Sequence, residues 1–120
     1  MLKHKPSVSI IMGIFNCVTT LRASIESVLK QEFKDWELII WDDGSSDGTY
    51  KLAEQYALEH PDKITLFKNK SNMGLAYTLN QCLKYASGAY IARQDGDDIS
   101  LSHRFKTQVS FLDDNPNYAI

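Results

Sequence analysis

Trp36-Glu37-Leu38-Ile39-Ile40-Trp41-Asp42-Asp43-Gly44-Ser45-Ser46-Asp47-Gly48 passes from apolar to acidic in one step. Its first six residues carry β-branched and aromatic side chains with little alternation, the pattern of a strand buried on both faces. The aspartates, glycines and serines that follow are turn formers. A helical periodicity then runs from about Thr49 to Glu59, with Ser46 or Asp47 available as N-cap and Pro61 beyond its end. Strand, acidic loop and helix in that order make up the unit from which parallel sheets are built.

The unit recurs on either side. Ser7 to Ile14 is a second β-branched run, and Ile64 to Phe67 and Ala89 to Ala92 are shorter ones. Leu21, Ile25, Val28 and Leu29 form one face of a first helix, with Arg22, Glu26 and Lys30 opposite. A third helix is expected from about Leu75 to Ala86, with Leu75, Leu79, Cys82, Leu83 and Ala86 inward and Gly88 as a left-handed residue past its end. A fourth, from about Ser102 to Asp113, turns Phe105, Val109 and Leu112 inward and stops at Asn115-Pro116. Four alternations predict an α/β fold: a Rossmann-like, mostly parallel sheet flanked by helices, with ligands at the carboxyl ends of the strands. Tyr118-Ala119-Ile120 reads as the start of a fifth strand.

Composition narrows the function. The chain has 120 residues, enough for a single domain. Its 13 Lys and Arg against 15 Asp and Glu leave a net charge of −2, so no excess positive field exists to hold a nucleic-acid backbone. No apolar run approaches the ~20 residues that cross a bilayer, and the basic N-terminus lacks the long apolar stretch of a signal peptide. A cytoplasmic protein is expected. Cys17 and Cys82, both placed in predicted helices, are too few for a disulfide framework and suit core filling.

The strand ends direct attention to three loops. In Asp95-Gly96-Asp97-Asp98, two carboxylates separated by a glycine can share a divalent cation. Mg²⁺ or Mn²⁺ held this way keeps positions open for diphosphate oxygens, and the cation supplies the counter-charge a diphosphate needs beside aspartates. An aspartate-rich turn is the plainer alternative, and an EF-hand is not, since the twelfth residue from Asp95 is Lys106. At least one of Asp42 and Asp43 must face the same cleft, where it could accept hydrogen bonds from a base N–H or ribose hydroxyls. Asn72-Met73-Gly74 precedes the third helix near the cleft, either as a simple turn or as part of the site. Arg104 could reach the acidic loop or a phosphate, although a surface salt bridge is the commoner fate. His4, His60 and His103 show no ligand spacing, and the late acids Asp113 and Asp114 read as a solvated helix end.

Taken in order, these segments resemble the nucleotide-binding half of family 2 inverting glycosyltransferases of the GT-A fold. The residues that carry the resemblance are Val8 to Met12 through Asn16, Ser27 to Phe33, Trp36 to Asp47, Asn72 to Ala76 with Leu79-Asn80, and Gly88 to Asp98. The resemblance implies transfer of a sugar from a nucleotide-diphosphate donor, most often a UDP-sugar, to a hydroxyl acceptor with inversion. It implies Phe15, Asn16, Asp43, Asn72, Gly74 and Asp95 as nucleotide-sugar contacts, with Asp43 at the uracil. Asp97, with Asp95, would bind Mn²⁺ or Mg²⁺ across the diphosphate. Gly13 replaces the family's common proline, and Leu79 an arginine that many members carry.

Further expectations follow from the same resemblance. Residues 1–120 would form one nucleotide-sugar-binding domain, truncated before the acceptor-binding half that carries the general base. The acceptor would be a saccharide or a lipid-linked saccharide in surface-polysaccharide synthesis, with peripheral association at the inner face of the membrane open to the parent protein. The rival readings are a phosphoacceptor receiver domain, whose acidic pair should follow strand one rather than strand two, and a nucleotide-binding module without chemistry. A dinucleotide-binding domain is disfavoured because no G-x-G-x-x-G follows the first strand.

Overall fold

The computed structural model describes residues 5–117. Its elements are β1 (Val8–Ile14), α1 (Val18–Leu29), β2 (Trp36–Asp42), α2 (Thr49–Glu59), β3 (Ile64–Lys68), α3 (Leu75–Tyr85), β4 (Tyr90–Arg93) and α4 (Arg104–Asp114). All pairings are parallel, and the strand order is β3-β2-β1-β4. Tyr118-Ala119-Ile120, expected to begin a strand, and His4 lie outside the described residues.

The two central strands explain why the sequence reads so clearly. Val8, Ile10, Met12 and Ile14 of β1 and Trp36, Leu38 and Ile40 of β2 face Leu21, Ile25 and Val28 of α1, Ala53 and Tyr56 of α2, and Phe105 and Val109 of α4. On the other face Ile11, Ile39 and Trp41 pack with Cys82 of α3. Burial on both faces removes the polar alternation that a half-solvated strand would show. The aromatic ring of Phe67 stacks on Trp41 at 4.4 Å, extending the second cluster to the β3 edge.

Several local expectations are corrected. α3 buries only Thr78 and Cys82 fully, while Leu75 and Leu83 are exposed. It is the one described helix on its face of the sheet, so only the residues aimed straight at the strands are covered. Gly88 is not a left-handed cap. A Cβ there would lie 2.7 Å from the Ser9 nitrogen, so this glycine lets the chain press against β1, and its N–H donates to Ser9 Oγ at 2.8 Å. Cys17 stands at the N-cap of α1 rather than inside the helix. Gly48 occupies the N-cap of α2, and Asp47 instead accepts from Thr49 N–H at 2.8 Å.

Candidate functional site

The carboxyl ends of β1, β2 and β4 open into one cleft. A cavity of about 290 Å³ is lined by Gly13, Ile14, Phe15, Asp43, Asn72, Gly74, Leu75 and Thr78. A second, of about 440 Å³, shares the wall of Gly13, Ile14, Phe15 and Leu75 and continues to Asn16, Cys17, Thr20, Asp95, Gly96 and Asp97. Every residue expected at the nucleotide-sugar and metal sites therefore borders this cleft. Leu75, Thr78, Cys17 and Thr20 line it too, and none of them was expected as a ligand contact.

Asp43 holds the first cavity together. It is 4% exposed, and its carboxylate accepts hydrogen bonds from Asn69 Nδ2 (2.9 Å), Met73 N–H (2.6 Å) and Gly74 N–H (3.0 Å). Burial pushes the Asp43 carboxyl up, but the bonds from Met73, Asn69 and Gly74 together outweigh it and hold the group below its ordinary value. Asn69, missed in the sequence, also accepts from the Trp41 indole at 2.8 Å and reaches Thr78 Oγ1 at 3.1 Å. Gly44 and Gly74 take positive φ of 78° and 97°, which glycine tolerates without strain. At Gly44 a side chain would also meet the Ser71 carbonyl carbon at 2.8 Å.

Asp42 points away from Asp43, as alternation along a strand requires. It is 2% exposed; Oδ2 accepts from Ser45 N–H at 2.9 Å, and Oδ1 has no hydrogen-bond partner among the described residues. Asn16, at φ 46°, ties the first loop to the second: its N–H donates to Ser45 Oγ and its Oδ1 accepts from Ser46 N–H, both at 2.9 Å. Phe15 projects from the same turn and is 47% exposed over the cleft.

In the acidic loop, Asp95, Asp97 and Asp98 each present a carboxylate oxygen, all within 4.8 Å of one another. Asp95 is paired with Arg93 (Nε at 2.9 Å, Nη2 at 3.3 Å), and Asp98 Oδ2 accepts from Asp95 N–H at 3.0 Å. The Asp97 carboxylate is exposed and has no hydrogen bond or ion pair among the described residues. An oxygen-only donor set of this kind fits a hard divalent cation.

Arg104 does not make the expected surface salt bridge among the described residues. It is half-buried and donates to Ser100 Oγ (3.0 Å) and the Arg93 carbonyl (3.1 Å). Burial lowers its pKa, with Asp98 acting in the opposite sense. Asp113 is not merely solvated either, because Tyr90 Oη donates to it at 2.6 Å. His60 and His103 belong to no metal-type cluster among the described residues.

Gly96 sets how close the acidic loop comes to β1 and α1. A Cβ there would lie 2.6 Å from Cys17 Sγ and 3.2 Å from Ile14 Cγ2. Gly96→Ala is expected to cost about 2 kcal/mol in denaturant unfolding, as overpacking does. Adding Cys17→Ala should recover most of that loss, and failure of the double variant to recover would show that the clash is not the cause.

A parallel sheet with an acidic, nucleotide-sized cleft at its carboxyl edge is the arrangement of the GT-A glycosyltransferases. Residues 9–120 match Glycosyl transferase family 2, and the chain belongs to that family. It is 54% identical over 115 residues to EpsE of Bacillus subtilis (strain 168), a protein named as a glycosyltransferase, covering 96% of this chain and 41% of EpsE. It is 45% identical over 107 residues to the UDP-Glc:alpha-D-GlcNAc-diphosphoundecaprenol beta-1,3-glucosyltransferase WfgD of Escherichia coli, covering 88% of this chain and 40% of WfgD. Among solved structures, the mannosyltransferase PcManGT of Pyrobaculum calidifontis, in complex with GDP-Man and Mn²⁺, superposes with a TM-score of 0.84 at 25% identity, over 93% of this chain and 34% of that one. The chain thus spans about two fifths of the length of the curated relatives it matches.

Proposed function

We propose that this chain is the donor-binding part of a metal-dependent, inverting glycosyltransferase that moves a sugar from a UDP-sugar to a hydroxyl of a saccharide or lipid-linked saccharide acceptor. The observation that carries the reading is the continuous cleft from the Asp43 cavity to the Asp95–Asp97 carboxylates. The exposed Phe15 ring offers a planar base an apolar wall. Asp43, on the wall of the same cavity, contacts the base through its carboxylate, and Asn16, Asn72 and Gly74 border the nucleoside. Asp95 faces the ribose or sugar, and Asp97, with Asp95, holds Mn²⁺ or Mg²⁺. The cation supplies positive charge where negative charge develops on the departing diphosphate.

The carboxylate that deprotonates the acceptor is assigned to the acceptor-binding part, C-terminal to residue 120. WfgD is named for a diphosphoundecaprenol-linked sugar, which supports a lipid-linked acceptor; a place in surface-polysaccharide synthesis, at the cytoplasmic face of a membrane, is proposed with it. No helix among the described residues is long and apolar enough to cross a membrane, so such association would be peripheral for this part of the chain.

Calorimetric titration with UDP, with and without Mn²⁺ and with ADP and GDP as controls, tests the reading. UDP should bind at least about tenfold more tightly with Mn²⁺ and in preference to ADP and GDP. A preference for GDP would keep the donor site and change the base. No metal dependence and no nucleotide preference in a folded chain would overturn the assignment.

A further inference from the structure

Three like-charged carboxylates within 4.8 Å repel one another, so something must hold the acidic loop in place. Within residues 95–98 the loop has one backbone hydrogen bond of its own, Asp98 N–H to the Asp95 carbonyl at 3.1 Å. The other restraints come largely from one seam along α1. Thr20, Ser24 and Ser27 are spaced four and three residues apart and so share a helix face, and Gln31 continues the line just beyond the helix end.

Each rung of the seam engages backbone. Thr20 Oγ1 donates to the Gly96 carbonyl (3.0 Å) and Ser24 Oγ to the Asp95 carbonyl (2.8 Å). Ser27 Oγ accepts from Ser100 N–H (3.0 Å). Gln31 Nε2 donates to the Leu101 carbonyl (2.7 Å), while its Oε1 accepts from Phe105 N–H (3.2 Å). Gln94 bridges the two sides: its Nε2 donates to the Ser24 carbonyl (2.9 Å) and lies 3.4 Å from the Asp98 carbonyl. Its Oε1 accepts from Ser100 Oγ. Ser24, Gln31 and Gln94 are 0% exposed. None of these bonds uses an aspartate side-chain oxygen, so the seam shapes the loop and leaves its ligand atoms available.

We infer that the Thr20–Ser24–Ser27–Gln31 seam, with Gln94, is a positioning device that preorganises the Asp95–Asp98 carboxylates for the cation. The inference rests on the metal reading of the acidic loop proposed above. Outer groups that orient metal ligands commonly change affinity by ~10- to 100-fold when removed. Here the orientation passes through the backbone that carries the ligands.

The test is the Mn²⁺ dissociation constant of this chain, read by electron paramagnetic resonance at saturating UDP and at a temperature where every variant is folded. Thr20→Val, exposed and nearly isosteric, should weaken Mn²⁺ about fivefold, and Thr20→Ser, which keeps the hydroxyl, should restore it. Ser24→Ala should weaken it about tenfold. Ser9→Ala removes a buried hydroxyl on the opposite face of the sheet, where it bonds Glu37 and Gly88; it should lower the Tm and leave the Mn²⁺ constant unchanged. Wild-type affinity in Thr20→Val and Ser24→Ala, with Asp97→Asn defective, would overturn the positioning role alone. No Mn²⁺ binding by the unsubstituted chain would instead overturn the metal reading, and this inference with it.

Discussion

The Asp97→Asn chain is expected to bind Mn²⁺ at least about a hundredfold more weakly than the unsubstituted chain and to lose the metal-dependent part of UDP binding. The reason is the division of labour in the acidic loop. Asp95 already shares its charge with Arg93, and one oxygen of Asp98 accepts from the Asp95 N–H. Asp97 alone presents an exposed carboxylate without a hydrogen bond or ion pair among the described residues. An amide oxygen at that position keeps the shape and removes the charge a hard cation requires. Because the group is exposed, the Tm without metal should stay within about 1 °C of the unsubstituted chain. Calorimetry and a thermal melt on one sample read both effects, and unchanged Mn²⁺ affinity would exclude Asp97 as a ligand.

Asp43→Asn is expected to have the opposite signature, a large stability loss whether or not metal is present. Three donors converge on the buried carboxylate, two of them the backbone N–H groups of Met73 and Gly74. Hydrogen bonds to a charged group contribute ~1.5–3 kcal/mol, and a substituted amide turns one acceptor into a donor facing other donors. A loss of about 3 kcal/mol near neutral pH follows, equivalent to roughly 10 °C in Tm for a domain of this size.

The pH dependence has a fixed sign. The folded-state pKa of Asp43 is lowered, so its contribution is present above the unfolded-state value and disappears as the pH falls through the folded one. The gap between Asp43→Asn and the unsubstituted chain should be full at pH 7 and shrink below about pH 4. Urea unfolding at pH 7, 5 and 3 measures it, and a gap independent of pH would show that the charge of Asp43 is not what stabilises the loop.

The alternation of strands and helices was legible because β1 and β2 are covered on both faces. Their apolar runs are continuous, and their observed limits lie within one residue of those expected. The acidic loops were legible for a different reason: aspartate and glycine at the end of an apolar run mark where a parallel sheet gathers its ligands. Leu75 shows where such reading stops. Helical spacing placed it in the core, yet it overhangs the cleft, because α3 is the only described helix on its side of the sheet.

Arg104 and the α1 seam make the same point for polar residues. Thr20, Ser24, Ser27 and Gln31 look in sequence like ordinary helix surface, since a hydroxyl or amide tolerates water or burial equally well once bonded. Only the approach of a loop more than 60 residues further along supplies their partners. The sequence by itself determined the alternation, the parallel sheet and the presence of carboxylates at its carboxyl edge, because backbone periodicity and turn chemistry are local. The tertiary structure decided that Asp43 clamps a loop, that Asp97 stands open, and that α1 holds the acidic loop, because those roles depend on which distant donors reach each oxygen.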